Sequence, residues 1–167
     1  MNKKYKILMT TMGLNIGGAE THIVELSKEL KKRGYDVLVA SNGGVYVDEL
    51  TQAGIKHFDV PLNTRNIGKM LTSLKLLKKI IKEEKVDIVH SHARIPGFVT
   101  GILHRSMDFT FVTSAHWVFN TGNGLKYLTN WGQKVIAVSE DIKQYLMDNY
   151  KTKEKDIYVT INGIDTD

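Results

Sequence analysis

Lys6-Ile7-Leu8-Met9-Thr10-Thr11, running into Met12-Gly13-Leu14-Asn15-Ile16-Gly17-Gly18-Ala19-Glu20, is the stretch that decides the fold. A short apolar run of strand type ends in a glycine-bearing loop. Beyond it, Ala19, Ile23, Leu26 and Leu30 recur at offsets of four, three and four, which places them on one face of a helix. Glu25, Lys28, Glu29 and Lys32 take the wet side. Gly34 suits the left-handed position that closes a helix, and Asp36 to Ser41 is a second strand-like run. Strand, loop, helix, strand in this order is a βα unit, and such units build parallel sheets.

The unit recurs outward along the chain. Further strands are expected at Lys56 to Val60, Val86 to Ser91, Phe109 to Ala115, Lys134 to Val138 and near Ile157 to Ile161. Ile67, Met70, Leu71, Leu74, Leu77 and Ile81 mark a helix leading to Val86. Pro96 fits the first turn of a helix carrying Phe98, Val99, Ile102 and Leu103, because a proline there loses no intrahelical hydrogen bond. Ser139 is the expected N-cap of a helix from Ile142 to Tyr150, with Glu140 and Asp141 at its positive end. The fold class is therefore α/β, a doubly wound parallel sheet of six or seven strands with helices on both faces. No repeat, low-complexity tract or linker divides residues 1–167, so one domain is expected.

Composition narrows the function. The 167 residues contain no cysteine, which excludes a disulfide framework and thiolate metal or redox sites. The basic opening is followed by an apolar run too short for a signal peptide, and no segment approaches a membrane span, so a cytoplasmic protein is expected. Lys and Arg exceed Asp and Glu by 23 to 18. Lys69, Lys75, Lys78, Lys79, Lys82 and Lys85 concentrate that excess on one helical segment. Without interleaved aromatic residues this is no nucleic-acid signature. It reads as a solvated face, with peripheral contact to an anionic membrane surface as the partner reading.

Right-handed crossovers gather the loops that leave the strands on one edge, where open α/β sheets bind ligands. Gly17 and Gly18 let backbone approach a ligand there, and the helix start behind them suits an anion. The spacing from Gly13 to Gly17 fails the dinucleotide fingerprint, and Gly-Lys-Ser/Thr is absent, so neither a nicotinamide nor a Walker site is present. His90-Ser91-His92, followed by Arg94, ends one strand, and His116-Trp117 with Asn120 leaves the next. An imidazole at a strand end can orient or deprotonate a hydroxyl, and Trp117 and Phe119 can wall a sugar. His22, His57 and His104 carry no assigned chemistry. Asn63-Thr64-Arg65-Asn66 and Asn120 to Gly124 are polar loops on the same edge, read equally as ordinary turns or as acceptor recognition.

Gly17-Gly18-Ala19-Glu20, Val86-Asp87-Ile88-Val89-His90-Ser91-His92, Ser114-Ala115-His116, Val135-Ile136-Ala137-Val138-Ser139-Glu140 and Ile161-Asn162-Gly163-Ile164-Asp165 together resemble the amino-terminal domain of family 4 glycosyltransferases. The resemblance spans essentially the whole chain. It implies a Rossmann-like domain, the acceptor-side half of a retaining two-domain GT-B enzyme that moves a sugar from a nucleotide-sugar donor to a hydroxyl of a glycan or lipid-linked acceptor. By that resemblance His116 is the catalytic residue near the transferred sugar. Gly17, Gly18, Glu20, Ser139 and Asn162 border the donor diphosphate or cleft, and Arg65, His92, Arg94, Trp117 and Asn120 border the acceptor. It implies no metal and no cofactor, the nucleotide sugar being a substrate. The carboxy-terminal nucleotide-sugar domain would follow Asp165, so this chain alone is expected to turn over little or not at all. Two other readings stay open: a non-catalytic nucleotide or phosphosugar binding module, and a hydrolase holding a metal on His90, His92 and His116.

Overall fold

A computed structural model describes residues 4–122 and 124–160. Each predicted strand forms: β1 (Lys6–Thr10), β2 (Asp36–Ser41), β3 (Lys56–Asp59), β4 (Ile88–Ser91), β5 (Thr110–Ala115), β6 (Lys134–Ala137) and β7 (Ile157–Val159). They pair in one seven-stranded sheet of order β3-β2-β1-β4-β5-β6-β7, and all pairs are parallel. The strands alternate with α1 (Gly18–Lys32), α2 (Val47–Gln52), α3 (Ile67–Glu83), α4 (Arg94–His104) and α5 (Glu140–Tyr150).

Alternation along β1 divides the core. Ile7 and Met9 pack with Ile23 and Val24 of α1 and Leu50 of α2. Leu8 faces the other way, with Leu77, Ile80 and Ile81 of α3 and Val99 and Leu103 of α4. Phe111, Thr113 and Ala115 share the Leu8 face through the β4–β5 register, and Val135 and Ala137 continue it under Ile142 and Leu146 of α5. Helices thus lie on both faces, as expected of a doubly wound sheet. The expected Ser139 and Gly34 caps form, and Asn66, which the sequence places in a polar loop, adds an N-cap to α3. Asn66 Oδ1 accepts the Lys69 N–H at 3.1 Å, Ser139 Oγ accepts that of Ile142 at 3.3 Å, and Gly34 takes a positive φ of 91°.

Some features depart from expectation. β1, β3 and β6 end one residue short and β7 two, β4 and β5 begin two residues and one residue late, and α2 carries no sequence-level helix signal because its six residues bury only Leu50. Trp131 is buried in the α5 cluster although it follows a polar loop: it stacks on Phe119 at 5.2 Å and meets Tyr150 edge-on at 5.5 Å. Asn162 and Asp165 lie outside the described residues.

Candidate functional site

The strand order reverses between β1 and β4, and a parallel sheet opens a crevice beyond the carboxyl ends of the strands at such a point. The backbone continues the ladder across this gap: the His92 N–H donates to the Thr10 carbonyl at 2.9 Å, and the Thr10 and Ser91 hydroxyls bond at 2.8 Å. Parallel pairing then sets the ends of β4 and β5 side by side, which brings His92 next to His116.

The glycine loop is anchored rather than free. Leu14 is fully buried, its N–H donates to Gly43 at 2.8 Å, and its carbonyl accepts from Tyr46 at 3.0 Å. Gly44, at φ 143°, makes this possible, since a β-carbon there would strike the Leu14 carbonyl carbon and oxygen. Gly17 is the N-cap of α1 with extended backbone that any residue adopts, so its glycine is not demanded by φ. A β-carbon added at Gly18 would meet nothing within 4 Å, which leaves open space beside the first residue of α1. The Glu20 carboxylate folds back against Gly17, so the positive end of α1 already has an anion beside it.

Four imidazoles meet at the edge. His92 Nδ1 lies 3.2 Å from His116 Nε2, His90 Nε2 bonds the Ser114 hydroxyl at 2.8 Å, and the His90 and His92 rings are 4.1 Å apart. The fourth, His22 of α1, has its ring 5.0 Å from that of His116. His22 is the residue that sequence reading missed. It stands four after Gly18, hence on the same face of α1, and that spacing was the available signal. Burial pushes His90 down to about 3 and His116 down to about 4, helped in both by His22, and holds His92 well below the ordinary imidazole range. Burial lowers His22 as well. All four are therefore neutral near pH 7, and the site offers hydrogen bonds rather than positive charge. Among the described residues no group of three His, Cys, Asp or Glu side chains is placed to hold a metal ion.

Other expected site residues divide into groups. Arg94, in the first turn of α4, donates through Nη2 to the Asn120 carbonyl at 2.7 Å and covers the Phe119 ring at 4.7 Å, so Arg94 and Asn120 come together in the loop that follows β5. Trp117, the residue after His116, is 74% exposed. His92 is buried behind His116 rather than presented to solvent. Ser139 uses its hydroxyl as the α5 cap. Arg65 stands apart, at the mouth of an apolar groove of about 360 Å³ between α3 and α4, lined by Ile67, Met70, Leu71, Leu74, Phe98 and Ile102 among others.

A parallel α/β sheet with a glycine-opened helix and a polar carboxyl edge is a Rossmann-like domain, here of the GT-B kind. The chain belongs to glycosyltransferase family 4: the model of the family described as Glycosyltransferase Family 4 matches residues 16–167. An uncharacterized glycosyltransferase of Methanocaldococcus jannaschii is 30% identical over 158 residues, covering 88% of this chain and 44% of that protein. One component of the human phosphatidylinositol N-acetylglucosaminyltransferase is 29% identical over 152 residues, covering 86% of this chain and 31% of that one. Among solved structures, a glycosyltransferase from Rickettsia africae superposes with a TM-score of 0.83 at 34% identity, over 96% of this chain and 44% of the other. Anabaena HepE, solved in complex with UDP-glucose, shares the fold at a TM-score of 0.77 and 20% identity, over 96% of this chain and 44% of that one. The chain thus spans less than half the length of each of these proteins.

Proposed function

We propose that this chain is the acceptor-side domain of a retaining, nucleotide-sugar-dependent glycosyltransferase, and that donor binding and full turnover need a second, carboxy-terminal domain. The observation that carries this reading is the convergence of His116, the open start of α1 and the Arg94–Asn120 loop on the switch-point edge of the sheet. In the reaction, the bond from the anomeric carbon to the diphosphate breaks, a bond to the acceptor oxygen forms on the same face, and the acceptor proton passes to the departing diphosphate. Backbone N–H groups at the start of α1 supply dipoles for the diphosphate, with Glu20 swinging aside, and neutral His116 bonds the transferred sugar. No metal or cofactor is required by this scheme. The UDP-glucose in HepE supports a nucleotide sugar as donor.

The acceptor is a glycan or lipid-linked hydroxyl. The α3–α4 groove favours the lipid-linked class, because Ile67 and Leu71 are exposed there on the helix that carries the lysine cluster, apolar surface beside positive charge. The same face suits peripheral contact with an anionic membrane surface.

The test is transfer by the full-length enzyme across a panel of nucleotide sugars, with His116→Ala as control. Loss of transfer by about 100-fold or more, as for removal of one positioned catalytic group, is expected. Unchanged transfer by His116→Ala would end the catalytic assignment. Robust turnover by residues 1–167 alone would refute the division of labour.

A further inference from the structure

His92 has an orphaned atom. Its side chain is only 5% exposed, Nδ1 is bonded to His116 Nε2, and Nε2 is buried with no partner. A neutral imidazole carries one N–H and one lone pair, so the bond between the two histidines can be made in two ways. With the His92 proton on Nδ1, His92 donates to His116 and the orphan at Nε2 is an empty lone pair. With the proton on Nε2, His116 donates and the orphan is a buried N–H. Unpaired buried N–H groups are the rarer and costlier of the two.

We infer that His92 is a positioning residue that donates from Nδ1 to His116 Nε2 and so fixes the proton of His116 on Nδ1. The nitrogen left for a ligand, which has no hydrogen-bond partner among the described residues, is then an N–H donor and not a lone pair. His116 therefore orients a substrate oxygen by donating to it and cannot deprotonate a hydroxyl. This rests on the placement of His116 in the reaction proposed above. The surrounding groups support neutrality of the pair: among the described residues His22 and His90 pack against it, both disfavouring a charge on His92 and His22 also one on His116.

The tautomer is read directly from long-range proton–nitrogen correlation spectra of ¹⁵N-histidine-labelled protein near pH 7, since a protonated and a bare ring nitrogen have widely separated shifts. His116 is expected to show a protonated Nδ1 and a bare Nε2. His92→Phe keeps the ring volume without the donor and should release His116 to a mixture led by the Nε2–H form. His92→Asn places an amide N–H near the old Nδ1 and should restore the original tautomer. A wild-type spectrum with the proton on His116 Nε2 would overturn the inference, and it decides the matter even where His92→Phe does not fold. An unchanged His116 tautomer in folded His92→Phe would overturn it too. In the full-length enzyme, His92→Phe should lower kcat about 10- to 100-fold, the range for losing a residue that orients a reacting-site ligand, with partial recovery in His92→Asn. If the tautomer is as inferred but His116→Ala transfers normally, the assignment of His116 to catalysis falls while the hydrogen-bond assignment stands.

Discussion

The Arg94 guanidinium ties the start of α4 to the loop after β5, bonding the Asn120 carbonyl at 2.7 Å while lying over the Phe119 ring at 4.7 Å. Planarity matters to both contacts, so lysine is a poor substitute. Arg94→Lys should cost about 1 kcal/mol or less, within the range of exposed cation–ring contacts. It should also speed hydrogen exchange at the amides of residues 117–122. Exchange rates identical to wild type would show that Arg94 does not order this loop.

Two glycines near the site should separate structure from ligand binding. Gly44→Ala forces a β-carbon into the Leu14 backbone and a side chain into φ 143°, and should destabilise by about 1–3 kcal/mol or more in urea melts. Gly18→Ala enters open space at the first residue of α1, so stability should stay within about 0.5 kcal/mol. On the proposed reading, Gly18→Ala should nonetheless weaken nucleotide-sugar binding by the full-length enzyme in a calorimetric titration. Wild-type affinity there would place the diphosphate elsewhere.

The two tryptophans should behave oppositely. Trp131 is buried between Phe119 and Tyr150, and Trp131→Ala should cost about 3–5 kcal/mol, the range for deleting a core aromatic. Trp117→Ala removes an exposed ring and should shift stability by no more than about 0.5 kcal/mol. The matching spectroscopic test is that only Trp117 fluorescence is quenched by an added water-soluble quencher.

Stability should fall on mild acidification. His22, His90, His92 and His116 all have lowered native pKa values, His90 about 3 and His116 about 4, against 6.5 for an ordinary imidazole, and burial lowers the separate His57 as well. As pH falls below about 6.5 the unfolded chain binds protons that the native protein refuses. The stability is therefore fully present above about 6.5 and is lost progressively toward the native values. Each histidine that protonates only when unfolded contributes a slope of up to about 1.4 kcal/mol per pH unit. Carboxylates paired in the native state, Glu84, Glu154 and Asp156, act only lower, so urea melts from about pH 7 to 5 isolate the histidines. A flat profile over that span contradicts the buried cluster, and His90→Gln should reduce the slope.

Periodicity made the sheet legible. Ile7, Leu8 and Met9 form a short apolar run of strand type ahead of a turn, and the offsets from Ala19 to Leu30 fit one face of a helix. The site was legible in outline, because strand ends in a doubly wound sheet must meet, and that alone brings His92 beside His116. What escaped was set by partners distant in sequence. His22 looks like an ordinary helix residue until β4 and β5 deliver two imidazoles to it. Trp131 is core only because Phe119 and Tyr150 arrive from either side. The conformational burden carried by Gly44, rather than by Gly17, shows only once Leu14 is seen beneath it.

The neutrality of the four imidazoles has a calorimetric consequence. A ligand settling against them near pH 7 finds groups that are already deprotonated and have no proton to release, and their burial gives them little tendency to take one up. Its binding enthalpy should then be the same in buffers of very different ionisation heat, so the heat measured at this edge belongs to the contacts themselves.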